Sequence, residues 1–299
     1  MNAAKRLSTG VSGLDQQLGG GLIGGALTVL VGATGIGKTQ FGVQFAQAGA
    51  RDEAAPGAFF DMSVRGDSQS HAAYAERIFS RRLEQIDADA TPDLDDFFDR
   101  PSHGDYLRVF DHRSRRITRT GEDFFTWHEW QAQMNARITT AIAFVYGNLV
   151  RGVRRIVVDG IEPVDRPSES IQFEMFEYLY HQVLRKDPEW VARDLFRQHY
   201  RRHADAAARC RYDPASVACL LLVTSRETML EDLISRSLDE GDVLSGANTV
   251  ILLGKIRQGT RIGRAMYIAK HRGSACADDV LPFAINDDGV RMADTAAAD

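Results

Sequence analysis

The sequence predicts an α/β fold: a mainly parallel sheet flanked by helices, with antiparallel strands near the carboxyl end and helical insertions. Three observations carry that prediction. Short apolar, β-branched runs alternate with helix-like stretches, a glycine-rich loop joins the first of these runs to a helix, and the last runs follow one another across short turns.

The first run, Ala26 to Val31, is short and apolar throughout, the form of a strand buried on both faces. It leads directly into the glycine-rich loop, after which Phe41, Val43, Phe45 and Ala46 suit a helix covering the sheet as far as Gly49. Further strands are expected at Ala58 to Met62, Tyr106 to Phe110, Ile156 to Val158, Val217 to Thr224 and Thr249 to Leu253. The runs Arg264 to Ala269 and Leu281 to Ile285 have no long helix between them, so an antiparallel extension at one sheet edge is the simplest account. The plan is a single domain over 1–299, interrupted at about 84–104 and 161–215 and frayed over 293–299.

In a chain of 299 residues, 44% hydrophobic content and 26% charge provide for a substantial core. The longest apolar stretches, such as Ala215 to Val223, fall well short of the ~20 residues that cross a bilayer, so no membrane span is expected. Lys5 and Arg6 run into Ser8, Thr9 and Gly10 instead of an apolar signal core, which points to the cytoplasm. Three scattered cysteines fit reduced thiols better than a disulfide frame or a zinc site. A net charge of -5 argues against a surface built to neutralise a phosphate backbone, so nucleic acid is not the favoured partner.

The run Gly32-Ala33-Thr34-Gly35-Ile36-Gly37-Lys38-Thr39 has the composition of a phosphate cradle. Triphosphate oxygens concentrate negative charge and call for backbone N–H donors on a tight curve together with a cation. The glycines permit the curve, Lys38 reaches the phosphates, and the Thr39 hydroxyl is the expected magnesium ligand. ATP and Mg2+ are thus the expected cofactors, with Thr34, Gly35, Ile36, Gly37, Lys38, Thr39 and Gln40 around the nucleotide. Asp159 ends the apolar run Arg155 to Val158 and is the acidic partner that the metal needs.

Around this loop the chain resembles a known family. Leu7-Ser8-Thr9-Gly10-Val11-Ser12-Gly13-Leu14-Asp15 leads through Leu18-Gly19-Gly20-Gly21-Leu22 into the first strand, and Lys270-His271-Arg272-Gly273-Ser274 precedes Pro282-Phe283-Ala284-Ile285 and Asp288-Gly289-Val290. Both segments resemble the KaiC branch of the RecA-like ATPases. The resemblance implies a RecA-like P-loop core that assembles into a homo-oligomer, a hexameric ring among the options, with nucleotide between adjacent subunits. It also implies that Lys270 and Arg272 reach the γ-phosphate held by a neighbour.

One position departs from the family pattern. Where hydrolysing members carry a glutamate at the end of the second strand, this sequence has Ser63, a poor general base. Asp61, two residues earlier on the same strand face, is the candidate substitute, with a structural hydrogen-bonding role as the alternative. Thr224 and Ser225 occupy the place of a γ-phosphate sensor, although an ordinary strand-to-loop transition explains them as well.

The two interruptions differ in character. Glu84 to Asp99 has seven acidic residues and no basic one and reads as a solvated loop, with Phe97 and Phe98 the alternative anchors for a partner or neighbouring subunit. The stretch 167–211 reads as two helices divided near Pro188, the first apolar over a wide arc and the second basic. That basic helix, with Trp190, Phe196 and Tyr200, keeps open a nucleic-acid contact as well as a solvated or intersubunit face. His199 and His203 have helical metal spacing but no third ligand beside them in the sequence. The expected function is an ATP-binding regulatory or signalling ATPase, slow at hydrolysis, whose nucleotide controls assembly or binding of an unidentified protein partner. The alternatives are a DNA-stimulated recombinase-like ATPase and a nucleotide-stabilised scaffold.

Overall fold

The computed structural model describes residues 6–63, 71–110, 124–162, 170–236 and 243–293. The tail expected to fray lies, from 294 on, outside the described residues. A small antiparallel pair, β1 (Arg6–Leu7) with β2 (Leu22–Ile23), brackets the short helix α1 (Leu14–Gln17). The main sheet then collects β3 (Leu27–Gly32), β4 (Ala58–Asp61), β5 (Gln85–Ile86), β6 (Tyr106–Arg108), β7 (Arg155–Ile161), β8 (Ala218–Thr224), β9 (Thr249–Gln258), β10 (Arg261–His271), β11 (Leu281–Asn286) and β12 (Gly289–Met292). Their spatial order is β12-β11-β10-β9-β3-β8-β7-β4-β6-β5. Pairing is parallel from β9 across to β5 and antiparallel from β9 out to β12, which is the expected extension at one edge.

The central strands are buried on both faces, so alternate residues feed two separate cores. On one face Leu30, Val157, Leu220 and Leu222 pack with Phe41 and Phe45 of α2 (Lys38–Asp52). On the other, Val29, Val31, Phe60, Val158 and Leu221 meet α4 (Phe124–Val150), α5 (Ile171–Leu179) and α6 (Pro188–Phe196). The remaining helices are α3 (His71–Phe79), α7 (Tyr200–Arg209), α8 (Leu230–Ser235) and α9 (Val243–Gly246). Among the described residues no helix is long and apolar enough to cross a membrane.

A charged group sits inside the fold at the start of β7. Arg155 is fully buried, with Nε 2.6 Å from Glu53 Oε2 and NH2 3.0 Å from Asp52 Oδ2, and NH1 donates to the Ser8 and Phe45 carbonyls. Buried charge persists only where partners meet it on several sides, and here those partners tie the amino-terminal segment and the end of α2 to the sheet.

Two expectations need correcting. The segment 84–99 is not simply a solvated loop: Phe97 is buried against Tyr146 of α4, ring centroids 5.9 Å apart, and both Phe97 and the half-buried Phe98 pack on Phe196 of α6. The acidic segment is held from the same side, since Arg137 Nε lies 2.6 Å from Asp89 Oδ1. An aromatic pair beside an apolar wall of its own chain is buried there at less entropic cost than against a second molecule.

The second insertion contains a further break. Pro188 opens α6, capped by the Asp187 side chain on Glu189 N, as Pro at the first helical position should be. The expected basic helix then stops at Arg197, whose φ of 46° lies in the left-handed region, before α7 begins. Nothing in the residue type announces that turn. His203 is buried and stacked on Phe196 at 4.4 Å, whereas His199 is exposed.

Candidate nucleotide site

The site is built where β3 ends and α2 begins. Gly37 adopts φ 117°, and a Cβ there would stand 2.7 Å from Ile285 Cδ1, so both the turn and the close approach of β11 require glycine. Gly35 also has positive φ and faces open space, while Thr34 is exposed and Ile36 is buried in the core beneath. Gln40 is buried in the first turn of α2, its Oε1 without a hydrogen-bond partner. Farther along α2, Gln44 exchanges two hydrogen bonds with the Val290 backbone, 2.9 and 2.7 Å, and fixes the carboxyl-terminal hairpin against this helix. Sequence reasoning passed over Gln44; its burial on the helix side facing Gly10 and β12 is a long-range property.

Lys38 is folded back over the loop, Nζ donating to the Gly32 and Ala33 carbonyls at 2.8 and 3.0 Å. Burial pushes its pKa down to about 8, against the opposing pull of Asp159. Thr39 Oγ1 donates to Asp159 Oδ2 at 3.0 Å, which brings the two expected metal ligands together from residues 120 apart in sequence. Burial acts to raise the Asp159 carboxyl, but His71, Lys38 and the Gly160 N–H bond outweigh it and hold it below the usual carboxylate range.

A loop curving from a central strand into a helix, with lysine, hydroxyl and carboxylate converging at the helix start, is the arrangement found in P-loop ATPases. The family described as "ATPase: KaiC" matches residues 7–86, which contain this loop. Among solved structures, that of a KaiC-like protein from the hyperthermophilic archaeon Pyrococcus horikoshii aligns over 98% of this chain and 100% of its own, with a TM-score of 0.52 at 15% identity. The fold is KaiC-like. No curated protein sequence matches the chain significantly.

In this KaiC-like fold Asp61 ends β4 directly beside Asp159 of β7. Both its oxygens are engaged: Oδ1 accepts from Ser63 N at 2.8 Å and Oδ2 from the Tyr106 hydroxyl at 2.5 Å. Ser63 itself packs against Gly160, one residue past Asp159. Thr224 pairs in register with Gly32, and Ser225 N donates to the Gly32 carbonyl at 3.0 Å, so both flank the root of the loop; the Ser225 hydroxyl donates to Glu227.

Lys270 and Arg272 are not brought to this loop. In the parallel register Gly32 stands level with Leu253, whereas Lys270 pairs with Val250 and Arg272 N donates to Asn248 O. They therefore lie below the loop along the strands, Lys270 by three residues, roughly 10 Å, and Arg272 by five, roughly 16 Å, at the ~3.3 Å rise of a strand. There Lys270 Nζ donates to the Ser245 carbonyl at 2.7 Å, and burial followed by the nearby Arg272 lowers its pKa.

One residue of the site escaped the sequence altogether. His71 begins α3 and is buried between Phe59 and Tyr106, with Nε2 3.0 Å from Asp159 Oδ2 and Nδ1 3.9 Å from Asp61 Oδ2. The Nε2 contact is short, but its N–H direction misses hydrogen-bond geometry. Burial acts to lower the ring pKa, yet the two carboxylates raise it on balance. A lone histidine after Ser68-Gln69-Ser70 carries no motif that would single it out.

Proposed function

We propose that this chain binds ATP with magnesium at residues 34–40 and Asp159, hydrolyses it slowly, and uses the bound nucleotide to control homo-oligomer assembly or engagement of a protein partner. The observation that carries the reading is the 3.0 Å contact of Thr39 Oγ1 with Asp159 Oδ2 beside a loop whose buried lysine is held by the Gly32 and Ala33 carbonyls. A hydroxyl and a carboxylate are hard oxygen donors and fit Mg2+. When bound, the cation offsets charge on the phosphate oxygens. Lys38 would exchange its two loop carbonyls for phosphate oxygens, and the α2 amino terminus would add its main-chain N–H donors.

Slow turnover is supported by Ser63, which offers no carboxylate, and by the full engagement of Asp61 with Tyr106 and Ser63 N. In this reading residues 1–299 are one cytoplasmic ATPase domain, with 84–104 and 161–215 as additions to it. The DNA-stimulated alternative has less support. Lys186, Arg193 and Arg211 are paired with Asp194, Glu189 and Asp187, and Arg185 is engaged by the Pro214 and Val217 carbonyls, which reduces the cationic face to Arg197, Arg201, Arg202 and Arg209.

The test is a titration of purified protein with ATP, with and without Mg2+, followed by native mass measurement of the same samples. Magnesium-dependent binding and a nucleotide-dependent change in mass are expected. Absence of ATP binding in either condition refutes the proposal.

A further inference from the structure

Among the described residues, His71 is a chemistry-bearing side chain beside the proposed cradle that the nucleotide reading leaves without a role. We propose that His71 Nε2 is a third protein ligand, beside Thr39 Oγ1 and Asp159 Oδ2, of the cation that accompanies the nucleotide, and that this nitrogen biases the site toward first-row transition metals such as Mn2+ over Mg2+. The inference rests on the reading of this site as a nucleotide and cation site.

Distances carry the argument. Octahedral ligands bound at about 2.1 Å and at right angles stand about 3.0 Å apart. Asp159 Oδ2 is 3.0 Å from Thr39 Oγ1 and 3.0 Å from His71 Nε2, so it forms the shared corner of two such edges. The histidine Nε2 is buried, and no hydrogen bond of acceptable geometry satisfies it.

The surroundings match a metal-bound histidine as well. Such rings keep a carboxylate on their second nitrogen; here Asp61 Oδ2 is the carboxylate on that side, 3.9 Å from Nδ1 and beyond hydrogen-bond reach, and it accepts from the Tyr106 hydroxyl. Phe59 and Tyr106 hold the ring plane, with centroids 5.2 and 5.6 Å away. Among the described residues no three His, Cys, Asp or Glu side chains are grouped to hold a metal by themselves. The third protein donor here is a hydroxyl, and phosphate oxygens complete the shell, so the cation would be held only with nucleotide. Coordination would use the tautomer that carries its proton on Nδ1, which leaves the Nε2 lone pair for the cation. An imidazole nitrogen is a softer donor than water or carboxylate, which favours transition metals over Mg2+.

The experiment uses full-length protein uniformly labelled with 15N, loaded with Mn2+ and unlabelled ATP, and read by electron-nuclear double resonance. Direct ligation gives a strong 15N coupling that is lost in His71→Phe, and the ratio of Mn2+·ATP to Mg2+·ATP affinity falls about tenfold in that variant. The wild-type spectrum decides the point even if His71→Phe folds poorly, and His71→Gln gives a second variant for the affinity ratio. A Mn2+·ATP complex without 15N coupling, or an affinity ratio unchanged by both substitutions, overturns the inference and leaves the nucleotide reading standing. Failure of the wild type to bind ATP with either metal overturns both.

Discussion

At the scale of single residues, the site is decided by which charged groups are matched and which are missing. The Ser63 backbone lies against Gly160, one residue beyond Asp159, which places position 63 next to the strand end that carries the proposed cation ligand. Ser63→Glu is expected to raise the single-turnover rate of ATP hydrolysis by about 100-fold, the usual order for a positioned general base. An unchanged rate would favour the scaffold reading. Arg155 presents the opposite case, a buried cation whose partners depend on it. Arg155→Met leaves Glu53, whose side chain is 6% exposed, as an unmatched buried carboxylate, and should cost about 3–5 kcal/mol in urea unfolding. Adding Glu53→Gln should recover part of that loss, because the two effects share one interaction. Additive losses would show that the pair is not coupled.

At the scale of elements, α4 approaches the acidic segment closely enough that a Cβ on Gly147 would stand 2.4 Å from the His103 ring, which itself lies 4.3 Å from Phe97. Burial, followed by Arg151 and Arg100, pushes the His103 pKa down to about 4. Between pH 6.5 and 4 the unfolded chain therefore holds a proton that the folded chain refuses, so stability falls as pH falls through that window. Discounted for the water that reaches the ring, the loss is about 1–2 kcal/mol, and His103→Phe should flatten this part of the stability profile. An unaltered profile would mean that the ring is free to protonate in the fold. These contacts also mark where the sequence stops being legible. Periodicity located the strands of the parallel core and the edge meander, because each strand's burial is written in its own residues. The docking of Phe97 and Phe98, the turn at Arg197 and the arrival of His71 beside Asp159 depend on distant partners, which local patterning does not encode. The proposed phosphate loop was legible for the converse reason: its curve, its lysine and its hydroxyl are consecutive residues, and only Asp159 had to be brought from elsewhere.

At the scale of the whole molecule, the sheet separates two halves of the proposed chemistry. The loop stands at the carboxyl ends of β3 and its parallel neighbours, whereas Lys270 and Arg272 stand level with the start of β9. On this register those cations do not stand at the chain's own loop, and the resemblance implies that a neighbouring copy presents them across an interface. Arg272→Ala should therefore leave ATP affinity within about twofold of wild type while lowering turnover and the oligomer fraction seen by native mass. Lys38→Ala should abolish binding in its own subunit and leave its Arg272 intact. Mixing the two inactive variants creates some interfaces where an unaltered loop faces an unaltered arginine, so partial recovery of ATPase activity is expected in the mixture. If the mixture stays as inactive as its components, or if Arg272→Ala loses ATP binding to the same degree as Lys38→Ala, the arginine does not act between subunits and the proposed division of the site fails.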